Sequence, residues 1–294
     1  MKARRLLQVD VFTNRPGFGN ALAVVLDGDG IDDVSMQRFA AWTNLSETTF
    51  LLPPTDDRAD YHVRIFTPRQ ELKFAGHPSV GSAFAALHAG MLTPKDGKLV
   101  QQCGAGLLPL RVEGNNGNWK VHVRAPDAQQ RKASDDDLRL LQPIFPGLDQ
   151  SARERAVIID NGPSWWIVAL PDETSARSLV PNLAAMARLC AASGCVGIAV
   201  HARTDRGSVE QLVVRAFCPN DGIPEDPVTG SANAAIASVL HGNGELALIG
   251  NPYRASQGRE MGRDGIVEVS VEDDGAVWIG GESVVVIEGV VRWG

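Results

Sequence analysis

A chain of 294 residues, 44% hydrophobic and 21% charged, is long enough to bury two cores at roughly 150 residues per domain. Its 28 basic and 35 acidic residues leave a net charge of −7 and no basic block that could neutralise a run of phosphates, which argues against a nucleic-acid partner. Residues 1–12 break their apolar stretch at Gln8 and Asp10, unlike a signal peptide, and no apolar run approaches the roughly 20 residues that span a bilayer; the chain reads as soluble and cytoplasmic, with no membrane partner.

Residues 6–12 and 21–26 are short runs rich in Val, Leu and Phe, separated by a turn-forming stretch with Pro16, Gly17 and Gly19, and they predict two strands. Asp27-Gly28-Asp29-Gly30 has a calcium-loop flavour, but its glycine falls too early and Arg38 stands where the closing glutamate belongs, so a tight turn into a helix is expected. Apolar residues at helical spacing then predict a helix over 32–44, capped by Asp32 or Asp33, with strands over 48–52 and 61–66 following. Residues 78–89 predict a helix with Pro78 in its first turn and Gly90 just beyond its end. Its surface is small and apolar nearly all round, as expected of a helix enclosed by a curved sheet.

After a strand over 119–124, the polar stretch 126–134 is the candidate boundary, giving domains 1–126 and 127–294 with the last strand free to return to the first. Ser134 followed by three aspartates predicts a helix start. Strands are expected over 156–159, 165–170, 196–200 and 212–217, a helix over 183–192, and a strand-rich end over 266–271, 276–279 and 283–293. Helices and strands mix without regular alternation, which favours a mainly antiparallel α+β arrangement. The four cysteines form no C-x-x-C pair and read as buried thiols, and the scattered histidines give no support for a metal site.

The most informative pattern is internal. Val63-Arg64-Ile65-Phe66-Thr67-Pro68 matches Val214-Arg215-Ala216-Phe217-Cys218-Pro219 at an offset of 214 − 63 = 151. Pro78 to Ala86 then matches Pro227 to Ala235 at an offset of 227 − 78 = 149. Two copies of strand, loop and proline-started helix predict two similar, pseudo-symmetric domains. His77 and Asp226 precede the two prolines; if the copies face each other, both helix N-termini point into a cleft between domains and favour a carboxylate there. On residue type alone, Asp226 is equally a helix cap, His77 a structural hydrogen-bonded histidine, and Glu47 an exposed glutamate between helix and strand.

Three motifs, Asn44-Leu45-Ser46-Glu47-Thr48-Thr49-Phe50, Arg64 to Pro68 continuing through Ala75-Gly76-His77-Pro78, and Glu225-Asp226-Pro227-Val228-Thr229-Gly230-Ser231-Ala232, resemble the PhzF family of phenazine-biosynthesis-like proteins. Gly19-Asn20, Asn161-Gly162-Pro163, Gln257-Gly258 and Gly262-Arg263 extend the resemblance across the chain. It implies the diaminopimelate-epimerase-like fold, two similar domains each wrapping a mainly antiparallel sheet around a central helix, with the active site between them.

The resemblance also implies a cofactor-independent isomerase similar to trans-2,3-dihydro-3-hydroxyanthranilate isomerase, acting on a small carboxylate substrate as a homodimer. Glu47 matches the family's proton-moving glutamate, and His77 and Asp226 match its other catalytic residues. Ser231, with Gly76, Gly230, Asn20, Gly162 and Gly258, is expected at the substrate. Small residues packing the helix are the competing account of Ser231, because Gly81-Ser82-Ala83 repeats Gly230-Ser231-Ala232 with no role assigned. Trp165 and Trp166 alternate across a strand and are expected in core or interface. The epimerases of this fold use a cysteine pair at the helix N-termini; neither motif here carries a cysteine, so a two-thiol racemase is not expected. Two alternatives remain: an epimerase or tautomerase of another small carboxylate, and a non-catalytic ligand-binding member.

Overall fold

The computed structural model describes residues 2–115, 117–145, 147–205 and 207–294. They form two compact units: one runs to Arg124 and takes in Ile279–Gly294, and the other is Ala125–Trp278.

In the first unit, β1 (Lys2–Val11) and β2 (Asn20–Val25) lead into α1 (Asp33–Thr43). Asp32 caps α1 by accepting from the Ser35 amide, and the helix stops at Asn44, whose φ of 55 is a left-handed conformation that asparagine tolerates. β3 (Glu47–Leu52), β4 (Tyr61–Phe66) and the short β5 (Glu71–Leu72) precede α2 (Gly76–His88), and β6 (Lys98–Cys103), β7 (Gly106–Asn115) and β8 (Asn118–Arg124) follow it. Strand pairs are antiparallel except β2–β3 and β4–β6. β8 also pairs with the final strand, whose later residues pair with β1, so the sheet closes around α2. Every α2 residue from Gly76 to Leu87 is accordingly buried. Small residues permit this: a Cβ at Gly81 would lie 2.7 Å from Leu22 and Val11 side-chain carbons.

The second unit repeats the plan. β9 (Gln129–Arg131) lies within the polar stretch expected to be a linker, and two short helices, α3 (Asp135–Leu141) and α4 (Gln150–Glu154), follow. Ser134 and Asp137 close a reciprocal capping box on α3. Next come β10 (Val157–Asp160), β11 (Ser164–Ala169), the short α5 (Glu173–Arg177), α6 (Leu183–Ser193), β12 (Gly197–Arg203), β13 (Leu212–Cys218) and β14 (Ile223–Asp226). The buried helix α7 (Gly230–Gly242), short α8 (Leu246–Ile249), β15 (Tyr253–Gln257), β16 (Gly265–Val271) and β17 (Val277–Trp293) complete the chain. β17 is one continuous strand where two were expected.

Parallel pairs fall at the same places in both units. β11–β12 answers β2–β3, and β13–β15 answers β4–β6. Side chains repeat too. Arg64 pairs with Glu71 through two guanidinium nitrogens and lies over Phe66, while Arg215 does the same with Glu225 and Phe217.

One expectation is corrected. Pro227 does not open the second helix: α7 begins at Gly230, three residues later, and Val228 and Thr229 lie between. Helix starts are therefore offset by 230 − 76 = 154 rather than by the 149 of the sequence match. The far ends agree with the larger value, since left-handed glycines follow the helices at Gly90 and Gly244, and 244 − 90 = 154. In each unit a buried glutamine bonds the fourth residue of the helix. Gln101 of β6 donates to Ser79, the fourth residue of α2, and Gln257 of β15 accepts from Asn233, the fourth residue of α7.

All four cysteines are buried, as expected, and burial pushes the Cys190 thiol up to about 12. Among the described residues no helix is long and apolar enough to cross a membrane.

Candidate functional site

Glu47 is the first residue of β3, placed there because α1 ends at Asn44 and the chain reverses through two residues before pairing with β2. Its side chain is 15% exposed, and its Oε2 lies 3.3 Å from Nε2 of His77; both atoms are fully buried. His77 is the second residue of α2 and is 4% exposed. Its other ring nitrogen, Nδ1, is 3.4 Å from the side-chain nitrogen of Asn20 at the head of β2. Asn20 is itself 2% exposed, and its Oδ1 accepts from the hydroxyl of Ser46, the neighbour of Glu47. Gly76, the first residue of α2, is buried beside His77.

Burial lowers His77 to about 3, so the imidazole is neutral at ordinary pH. The contact with Glu47 is thus made by a neutral ring and a carboxyl group. Ser46 and Asn20 connect the first motif, which carries Glu47, to the second, which carries His77. Asn20, expected at the substrate, has its amide facing Ser46 and His77. The role of Ser46 was not read from the sequence, although it stands next to Glu47.

In the second unit, Ser231 is the second residue of α7, matching His77 in α2. Its Oγ accepts from the indole N–H of Trp165 at 3.1 Å, and its backbone carbonyl accepts from the side chain of Asn161 at 2.9 Å. Asn161, 1% exposed, stands just before β11 as Asn20 stands at the head of β2. Gly162 follows with a φ of 107. Asp226 closes β14 and is 8% exposed; its carboxylate accepts from the Thr229 hydroxyl at 2.5 Å. Asp226 is not the cap residue of α7, because Thr229 occupies that place, with no capping bond from its own side chain.

Gln257 uses its whole amide on this corner. Its Oε1 accepts from the Thr229 amide and from Asn233, while its Nε2 donates to the Asp226 carbonyl and the Thr229 hydroxyl. Gly258, with a φ of +94, brings its backbone against Pro227: an added Cβ would be 2.6 Å from the Pro227 carbonyl oxygen. Its structural requirement is therefore the close approach beside Asp226. Gly230 is buried as the first residue of α7. Trp165 was expected only in core or interface. It is 3% exposed, and its indole also holds Ser231.

A family model described as phenazine biosynthesis-like protein, PhzC-PhzF, matches residues 9–289. The chain belongs to this PhzF family. Antisense-enhancing sequence 1 of Schizosaccharomyces pombe is 36% identical over 290 residues, covering 96% of each chain. A trans-2,3-dihydro-3-hydroxyanthranilate isomerase of Pseudomonas fluorescens is 32% identical over 264 residues, covering 90% of this chain and 89% of that one. Among solved structures, a PhzF-family phenazine biosynthesis protein of Bacillus anthracis is 27% identical with a TM-score of 0.82, covering 99% of this chain and all of the other. A hydroxyproline epimerase of Agrobacterium vitis, 16% identical at a TM-score of 0.69 and covering 99% and 91% of the two chains, shares the fold.

This PhzF chain is an enzyme of the isomerase class, with the two-domain α+β architecture of the diaminopimelate-epimerase fold.

Proposed function

We propose that this PhzF protein is a cofactor-independent isomerase that moves a proton between two carbons of a small carboxylate substrate, with Glu47 as the general acid/base. The observation that carries the reading is the contact of the Glu47 carboxyl with a buried, neutral histidine, His77. A carboxylate so placed can take a proton from a substrate carbon while the electron pair stays on the substrate, and return that proton to a second carbon. His77 keeps the carboxyl in position. Asp226 and Ser231 are assigned to the substrate's polar groups, Ser231 as a hydroxyl donor. Similarity to the P. fluorescens isomerase supports the reaction class. By the same resemblance the protein is proposed to be a homodimer, which sedimentation equilibrium tests directly.

The test is hydrogen exchange at carbon. Candidate carboxylates, trans-2,3-dihydro-3-hydroxyanthranilate among them, are incubated in deuterated water with the protein and with Glu47→Gln. Exchange with double-bond migration that falls by about 10²–10⁴ in the variant is the expected result. Exchange with inversion at one carbon would make the protein an epimerase. Near-wild-type exchange by Glu47→Gln would remove Glu47 from the role.

A further inference from the structure

Three side chains of the first unit, Ser46, Asn20 and His77, form a directed hydrogen-bond chain whose far end faces a fourth, Glu47. The Ser46 hydroxyl is 3.2 Å from Asn20 Oδ1, and a hydroxyl facing an amide oxygen must donate. That leaves the Asn20 amide nitrogen, 3.4 Å away, to face Nδ1 of His77. An amide NH₂ has only hydrogens to offer, so Nδ1 must present its lone pair. A neutral imidazole carries one hydrogen, which then resides on Nε2, the nitrogen 3.3 Å from Glu47 Oε2.

We propose that Asn20, oriented by Ser46, is a positioning residue that locks His77 in the Nε2–H tautomer, so that the ring turns a hydrogen and not a lone pair toward Glu47 and cannot receive a proton from it. The inference takes its catalytic meaning from the proton-moving role proposed for Glu47. With Nε2 protonated and Nδ1 occupied, His77 has no vacant basic site; a proton gathered by Glu47 stays on the carboxyl until it returns to carbon. The alternative Nδ1–H tautomer would turn the Nε2 lone pair toward a carboxylate and set two hydrogens against each other at Asn20. Burial of Asn20 and His77, at 2% and 4% exposure, keeps water from substituting for either partner. The arrangement also gives the serine before Glu47 a part: the turn that leads into β3 supplies the group that orients the amide.

The tautomer can be read without any substrate. In ¹⁵N-labelled protein at neutral pH, long-range ¹H–¹⁵N correlations of His77, assigned by their loss in His77→Asn, are expected to show Nε2 protonated and Nδ1 bare. Asn20→Asp, nearly isosteric, replaces the donor with an acceptor and is expected to move the hydrogen to Nδ1. Ser46→Ala, which releases the amide, is expected to give a mixture and serves if Asn20→Asp does not fold. A wild-type ring protonated on Nδ1 or on both nitrogens overturns the proposal, as does an unchanged tautomer in both folded variants. With an exchanging substrate in hand, Asn20→Asp is expected to lower kcat on the order of a hundredfold with KM little changed. Failure of every carboxylate to exchange would defeat the functional reading while leaving the tautomer result to decide this one.

Discussion

His77 and Ser231 hold the same place in two copies of one helix. Each is the second residue of a buried helix of 13 residues, and each has a buried asparagine bonded to it, Asn20 from the head of β2 or Asn161 from the turn before β11. The sequence match instead paired His77 with Asp226 and Ser231 with Ser82. Ser82 is six positions deeper in α2 than Gly76 and donates to Thr49, away from the helix start. The packing account of Ser231 borrowed its force from that pairing and loses it once the helices are set in register.

Ser231 and Trp165 can be separated by stability. Removing the hydroxyl in Ser231→Ala leaves the buried indole N–H of Trp165 without the acceptor it has at 3.1 Å, a loss of about 1–3 kcal/mol. Trp165→Phe removes the donor at the same time, so the double variant is expected to recover part of that loss. Urea unfolding of the wild type, both single variants and the double variant gives the coupling. A Ser231→Ala protein as stable as the wild type would return the residue to simple packing.

Gly258 is expected to be intolerant of any side chain. In Gly258→Ala the new Cβ meets the Pro227 carbonyl at 2.6 Å and Arg263 Cβ at 2.8 Å, at a φ of +94 that alanine rarely adopts. Relief requires moving Pro227, the neighbour of Asp226. A stability loss of about 2 kcal/mol or more is expected, with turnover reduced in the fraction that still folds. A fully stable and active Gly258→Ala protein would show that Asp226 does not depend on this approach.

Much of this was legible in the chain. Helices α1 and α6, the strands flanking them and the buried central helix follow from hydrophobic period and caps, which are local signals. The duplication was visible because Val63 to Phe66 and Val214 to Phe217 sit in equivalent strands, where burial restrains the residues alike. The register of the helices was not. It shows in the bonds of Gln101 and Gln257, which reach the fourth residue of each helix from strands more than 20 residues downstream, long-range contacts with no local sequence signature. Glu47 and His77 were found through the motifs, but the Asn20–Ser46 connection joins three separate elements and needed the fold to be seen.

The duplicated ion pairs are expected to differ in worth. Arg215 is 7% exposed and also donates to the carbonyls of Ala176 and Leu179, while its partner Glu225 is 15% exposed. Arg64 is 19% exposed and its partner Glu71 is 41% exposed. Glu225→Ala strands a buried guanidinium and is expected to cost about 3 kcal/mol. Glu71→Ala leaves Arg64 in reach of water and of Asp33, for a loss below about 1 kcal/mol. Denaturant midpoints of the two variants, compared at one pH, measure the difference; equal losses would contradict the assignment.

The buried histidines give the stability an acid limb with a definite sign. Burial lowers His201, on β12, to about 4 in the folded chain, against an ordinary value of 6.5 when unfolded. As pH falls through 6.5, the unfolded chain takes up a proton that the folded chain refuses until about 4. Stability is therefore lost with falling pH across that window, by about 1.4 kcal/mol per pH unit for one histidine. His77 acts in the same direction down to about 3, and His62, lowered by partial burial, adds to it, so the wild type is expected to show a steeper slope than His201→Asn. The range between pH 6.5 and 5 is the one to measure, because carboxylates such as Asp27, held at about 2 by Arg5, begin to take up protons in the unfolded chain only below it. Unfolding free energies of the wild type and His201→Asn at several pH values supply the slopes. Parallel curves would mean that His201 is protonated in the folded chain, and its buried place between β11 and β13 would then have to open to water.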